Sequence, residues 1–170
     1  ADRNPGDADP TIAAFLELLE LPDARFEVSQ VLGWLQVPAI QQRFGFEPFE
    51  LERIGHWLQA AAVHWGLDRE HRREWVAGAS GDDFTWAQGL ERLLLGFAWG
   101  DEEAVVGQRL LLPQVEGADA LLLGRLAGFM AQLSALRRDL TQAFDVAGWQ
   151  ALLNGNCARA SLLQALRSIA

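Results

Sequence analysis

Apolar residues recur at steps of three and four along most of this chain, a spacing that predicts helices nearly from end to end. Residues 1–9 are polar and turn-like and read as a loose tail, and residues 10–170 read as a single helical domain. Pro10-Thr11 opens the first helix, with Ile12, Phe15, Leu16 and Leu19 on one face. Proline is tolerated there because its missing N–H would be unpaired anyway. Pro22-Asp23 ends that helix, and a second short one runs through Val28, Val31, Leu32 and Leu35. The strongest spacing lies between about Glu47 and Trp65. There Leu51, Ile54, Leu58, Ala61 and Trp65 share a face, while Glu52, His56 and Gln59 look toward water. Gly66 reads as the stop of that helix and Asp68 as the N-cap of the next, Arg69 to about Ala77.

Gly78 to Asp83 is a loop, and Thr85 caps a helix through Leu90, Leu93, Leu94 and Phe97 that Gly100 ends. Residues 101–116 form a longer connection, with order expected around Leu110 to Pro113. From Gly117 to Leu140 the positions Leu122, Leu126, Phe129, Leu133, Leu136 and Leu140 alternate steps of four and three, a seam of coiled-coil type. A last helical region, Val146 to Ile169, is interrupted by Asn154-Gly155-Asn156. No stretch sustains the period-two alternation of a strand. The fold class is therefore all-α, an irregular domain of about seven or eight helices.

Composition narrows the chemistry. Half of the 170 residues are hydrophobic and 22% are charged, which is globular composition. The longest uncharged run, Val28 to Gln42, is too short to span a bilayer and contains Pro38. The first residues carry no signal peptide pattern. The chain opens on Ala1 and its one methionine is Met130, so it reads as a piece of a longer protein. Cys157 is the single cysteine, which fits a reducing cytoplasm and a small core side chain rather than a nucleophile. Net charge is −9, and every one of the 14 basic residues is arginine. Such an acidic balance argues against a free-standing nucleic-acid binder, though not against local contact within an assembly. The absence of lysine excludes a Walker loop, whose lysine neutralises the phosphates that its backbone cradles.

Metal and catalytic readings are weak. Glu52 and His56 lie four apart on one helix, with His64 and His71 further along, yet neither a His-Glu-x2-His nor a Cys-x2-Cys spacing occurs. An exposed pair supporting its helix explains them, and Asp82-Asp83 and Asp101-Glu102-Glu103 read as solvated turns. No catalytic residue, metal ligand or cofactor site is assigned. The best phosphate-contact candidates are Arg69, Arg72 and Arg73, beside His71 and within about one helical turn. Interleaved Glu70 and Glu74 equally suit a salt-laced solvent face. Arg137-Arg138 complements a helix C-terminus. Of the seven tryptophans, Trp57 and Trp65 fall on or beside apolar faces, where packing is the default over base stacking. Gly124-x3-Gly128 is read as a place where a neighbouring helix approaches.

Particular words along the chain resemble a known family. They are Leu21-Pro-Asp-Ala-Arg-Phe26 running into Val31-Leu and Val37-Pro38, then Arg43-Phe-Gly45, then Trp65-Gly-Leu-Asp68 with His71-Arg72. The most specific is Thr85-Trp-Ala-Gln-Gly-Leu-Glu-Arg-Leu-Leu-Leu-Gly-Phe97, and Leu112-Pro113, Glu116-Gly117 and Leu123-Gly124 follow in order. In order and spacing they resemble the RecC family, the gamma subunits of bacterial exodeoxyribonuclease V (the RecBCD helicase–nuclease). The likeness covers nearly the whole chain but an interior portion of the family's length. It departs at Phe97, where tyrosine is expected, and after Pro113, where Gln-Val-Glu follows.

The resemblance implies a helical subdomain comparable to the 2B insertion of a superfamily 1 helicase-like fold. It also implies RecB-like and RecD-like sister subunits that carry ATP hydrolysis and the nuclease, and duplex or forked DNA in the full complex. The implied role is scaffolding, strand splitting and channelling, with a part in Chi recognition. No strand-splitting or Chi-reading residue of the family maps onto a matched motif. Two rival readings stand beside it: a stand-alone adaptor that binds a partner through the Leu122–Leu140 seam, and a small hydrolase using His56 and Glu52.

Overall fold

A computed structural model of the chain describes residues 10–79, 81–100, 105–106 and 109–142. Among them are seven α-helices, one 3-10 turn and one two-stranded ribbon. Helix α1 is Pro10–Leu19, followed by the 3-10 turn Leu21–Asp23; α2 is Val28–Leu35 and α3 Pro38–Phe44. Then come α4 (Glu50–Ala60), α5 (Arg69–Trp75) and α6 (Trp86–Trp99). Strands β1 (Val105–Val106) and β2 (Arg109–Leu110) pair antiparallel, with Val105 opposite Leu110, and α7 is Asp119–Leu140. The all-α expectation holds. The proposed tail 1–9, the region 146–169, Asp101-Glu102-Glu103, Trp149 and Cys157 lie outside the described residues.

Helix α7 is the centre of the molecule. Leu122, Leu126, Phe129, Leu133, Leu136 and Leu140, the expected seam, are all buried. They pack into one core with Leu18, Leu21, Phe26, Ile54, Leu58 and Leu93. Each such side chain withdrawn from water contributes roughly 1.5–3 kcal/mol before entropy. Helix α7 is long and apolar enough, by length and composition alone, to cross a bilayer. Its buried seam accounts for that composition as the core helix of a packed domain. Three arginines tie it to its neighbours. Arg125 donates to the Gly45 carbonyl and, at 2.5 Å, to Glu50. Arg53 of α4 pairs with Asp119 at the start of α7, and Arg137 near its end pairs with Glu74 of α5.

Four expectations need correction. The helix placed over Glu47 to Trp65 is shorter, Glu50–Ala60, because Ala62 adopts φ +52° and turns the chain four residues before Gly66. Helix α3 was not foreseen, although Pro38 at its first turn and Gly45 at φ +71° beyond its end are ordinary start and stop signals. The connection after Gly100 holds a short β ribbon, too brief to leave a periodic signature. No neighbour approaches at Gly124-x3-Gly128 among the described residues: a Cβ at either glycine would meet nothing within 4 Å.

The closest helix packing involves two glycines of the Thr85–Phe97 stretch. A Cβ at Gly89 would stand 2.2 Å from Val63 Cγ2, and one at Gly96 would stand 2.2 Å from the Leu112 carbonyl oxygen. Thr85 is fully buried; its hydroxyl accepts the Gln88 N–H, capping α6, and donates to the Asp82 carbonyl at 2.6 Å.

Candidate functional site

Three irregular segments, around residues 24–28, 61–68 and 82–87, meet beside the helical core and are laced together through their backbones. Val28 N–H donates to the His64 carbonyl, His64 N–H to Phe84, Gly66 N–H to Arg25 and Trp86 N–H to Gly66. The Trp86 indole N–H donates to the Phe26 carbonyl at 2.8 Å. Each segment holds one non-glycine residue at positive φ: Phe26 (+55°), Ala62 (+52°) and Phe84 (+65°). Such backbone persists where its surroundings over-determine it, as this lattice does.

Helix α5 stands on this hub. Asp68 caps it by accepting the His71 N–H at 2.9 Å. His71, expected to accompany the arginines outward, instead turns into the hub and is 2% exposed. Its Nδ1 accepts the Leu67 N–H at 3.3 Å, and its Nε2 lies 3.1 Å from the Ala24 carbonyl. The Trp75 indole nitrogen lies further off, 3.4 Å from Nε2, so the Leu67 donor and the closer Ala24 carbonyl place the ring proton on Nε2, as the donor to Ala24. Phe26 packs edge-on at 5.3 Å. Burial, then the positive charge of Arg137, lowers the His71 pKa below the usual histidine value of 6.5, so the ring is neutral.

The opposite side of α5 presents the three candidate arginines, and the structure divides them. Arg72 is half-buried: its guanidinium lies 4.9 Å from the Trp65 ring centroid and donates to the Asp83 carbonyl. Arg73 donates its Nε–H to the Ala79 carbonyl at 3.3 Å. Arg69 is exposed and makes no ion pair or hydrogen bond among the described residues. Glu74, read as part of a salt-laced face within α5, reaches instead to Arg137 on α7.

The cluster also gains a member from elsewhere in the chain. Arg25 sits 4.7 Å from the Trp65 centroid and 5.6 Å from Trp75, with its side chain 48% exposed and Glu27 at 4.0 Å. Trp65 thus carries two guanidiniums, an arrangement worth about 0.5–1 kcal/mol per pair at exposed sites. No local spacing links Arg25 to α5; the Gly66 and His71 hydrogen bonds to residues 24–25 and the Trp75 ring beneath its guanidinium do. Gly66, at φ +85°, makes room for Arg72: a Cβ there would lie 2.6 Å from Arg72 Cγ. Beside the cluster runs a shallow groove of about 260 Å³ lined by Arg72, Val76, Ala79, Gly81, Asp83 and Phe84. Exposed guanidiniums beside a half-exposed indole are suited to phosphate contact and to stacking on planar groups.

The other sequence candidates do not assemble. Glu52 and His56 are exposed on α4, and among the described residues no three His, Cys, Asp or Glu side chains gather to hold a metal. The acidic loop is occupied from within, Asp82 by Arg109 at 2.6 Å and Asp83 by Gln88 at 3.1 Å. Trp34, Trp57 and Trp86 are core, whereas Trp75 and Trp99 remain exposed.

Fold and surface together define an all-α domain with a packed helical core and an arginine–tryptophan face raised on irregular loops. The family of the RecBCD enzyme subunit RecC fourth domain matches residues 8–166. The RecBCD enzyme subunit RecC of Escherichia coli (strain K12) is 34% identical over 149 residues, covering 88% of this chain and 13% of that protein. That of Mycolicibacterium smegmatis is 35% identical over 134 residues, 78% of this chain and 12% of the relative. The Haemophilus influenzae protein is 30% identical over 154 residues, 90% and 13% respectively. The chain belongs to the RecC family, and it spans about 13% of the length of these curated relatives.

Proposed function

We propose that the chain serves as a non-catalytic helical subdomain of a RecC-type subunit, comparable to the 2B insertion of a superfamily 1 helicase-like fold. Its role is scaffolding in a cytoplasmic helicase–nuclease that processes double-strand breaks for homologous recombination. The assembly supplies its partners: RecB-like and RecD-like subunits, and duplex or forked DNA. The domain needs no cofactor of its own and no membrane. One observation carries this reading: the RecC fourth-domain family covers residues 8–166, nearly the whole chain. The absence of lysine, and so of a Walker loop, agrees with a subunit whose motors sit elsewhere. DNA contact falls first to Arg69, which is unpaired among the described residues, with Arg25 and Arg73 exposed beside it although Arg73 also donates to the Ala79 carbonyl. Arg72 is held by Trp65 and the Asp83 carbonyl.

The adaptor reading loses its basis, because the Leu122–Leu140 seam faces the interior. The test is assembly. A tagged full-length subunit is co-purified with RecB-like and RecD-like partners, and ATP-dependent exonuclease activity is measured with and without the core substitution Phe129→Asp. Co-purification and activity of the native subunit, both lost with the substitution, are expected. A native subunit that binds neither partner would sink the proposal, as would metal-dependent turnover by the 170-residue chain that His56→Ala abolishes.

A further inference from the structure

Helix α6 changes character halfway along. Its first half is amphipathic, with Trp86, Leu90 and Leu93 buried, Gln88 half-buried and Glu91 exposed. Its last two turns have no polar face. Leu94, Leu95, Phe97 and Trp99 are 42, 40, 42 and 61% exposed, while Gly96 faces the Leu112 backbone. A helix apolar on every side belongs in an interior. The ribbon beyond it continues the pattern, with Val105 67%, Val106 43% and Leu110 42% exposed.

The ribbon is fixed where it stands. Arg109 bridges Asp82 and Glu91, Arg92 donates to the Leu110 carbonyl at 2.8 Å and to Ala61 at 3.2 Å, and Leu112 N–H donates to the Arg92 carbonyl. A two-stranded ribbon is marginal alone, so this polar clamp holds apolar side chains in a set position. Among the described residues, the large side chains that point outward here are all apolar, which is the composition of a permanent interface rather than a transient one.

We infer that the end of α6 and the β1–β2 ribbon form an interdomain interface, seated on an apolar surface of another domain of the same RecC-type polypeptide. The inference rests on the proposed function. The chain matches a fourth domain and spans about 13% of its relatives, so in that reading most of the subunit lies outside the structure. A tethered domain has a high effective concentration, which suits an apolar face in need of cover from synthesis onward. Trp99 is the anchor.

The test places the photo-crosslinker p-benzoyl-L-phenylalanine at position 99 of the full-length subunit and maps crosslinks by mass spectrometry, free and assembled. An intramolecular crosslink to a peptide outside these 170 residues, present in the free subunit and retained on assembly, is expected. Crosslinks to residues 143–170, to a sister subunit alone, to a second copy, or none at all overturn the inference. A companion variant, Phe97→Ser with Trp99→Ser, should speed limited proteolysis of the free subunit about tenfold. An unchanged rate counts against it. Co-purification of the native subunit with its partners is scored separately. Its failure ends the proposed function, whereas intact assembly without the internal crosslink ends only this inference.

Discussion

Helix α7 and the loop hub beneath α5 hold their places by opposite means. Helix α7 is a continuous 22-residue rod whose apolar side chains repeat along the core. Its position follows from area removed from water, a force without direction that tolerates modest changes of shape. The hub has little regular structure: three segments, three non-glycine residues at positive φ, and hydrogen bonds running from one loop to another. Its stability lies in geometry, where a bond is made or missed. The hub also carries the arginine–tryptophan face, so the more exacting part of the molecule supports the surface with candidate chemistry. The two regions should therefore fail differently.

The largest effect belongs to the rod. Phe129 is fully buried and meets Phe44 edge-on at 5.0 Å, so Phe129→Ala should cost about 3–5 kcal/mol in urea unfolding. Phe129→Leu, which keeps most of the volume, should recover the larger part. If Leu were as damaging as Ala, the core here would depend on ring geometry, and the contrast with the hub would weaken.

Next comes Gly66→Ala in the hub. The substituted residue must adopt φ +85° and lie 2.6 Å from Arg72 Cγ, costs that together amount to about 2–4 kcal/mol. A single methyl added to a loop would then rival the loss of a core ring. Pairing it with Arg72→Ala should relieve the steric part and leave the backbone part, a separation that a double-mutant cycle reads directly. Additivity of the two changes would show that Arg72 does not confine Gly66.

The hub should also be the acid-sensitive region. Burial holds the His71 pKa below its unfolded value of 6.5, so below that value the unfolded chain binds the proton more readily than the folded one. Stability from this group is complete above pH 6.5 and declines as pH falls from there toward the folded pKa. Protonation would also place a donor on Nδ1 against the Leu67 N–H. Unfolding free energy followed from pH 7.5 to 5 should fall, and a His71→Gln variant should lose the part of that slope due to one proton. A slope unchanged in the variant would assign the acid response to the carboxylates instead.

The contrast between rod and hub also explains what was legible in the sequence. The α7 seam, the Thr85 and Asp68 caps and the Pro10 start are local signals, and each was recoverable from spacing or from one side chain. The premature end of α4 at Ala62 was not, because nothing in the alanine predicts a positive φ; the hydrogen bond from His64 N–H to Phe84 helps hold it. His71 was misplaced for the same reason: its inward turn depends on Ala24, 47 residues away. The arginine trio was found by its clustering, yet its division into held and free members depends on Trp65, Asp83 and Ala79. Arg25 was missed because its partnership with Trp65 and Trp75 exists only in the folded chain.

The smallest stability effect should come from the residue with the most to say about function. Arg69 lies exposed on α5 without an ion pair among the described residues, so Arg69→Ala should change folding by no more than about 0.5 kcal/mol. If α5 meets a phosphate backbone in the assembled complex, that same change should reduce the slope of log affinity against log salt by about 1 for forked DNA. Arg72→Ala makes the complementary case. Arg72 supports Trp65 and the Asp83 loop, so its loss should show in urea and leave the salt slope unchanged. An unchanged slope for Arg69→Ala, together with Arg25→Ala and Arg73→Ala, would leave the face as structural packing with no nucleic acid on it. A slope that falls for Arg69 and not for Arg72 would separate the two jobs of α5, one arginine holding the hub and its neighbour reaching outward.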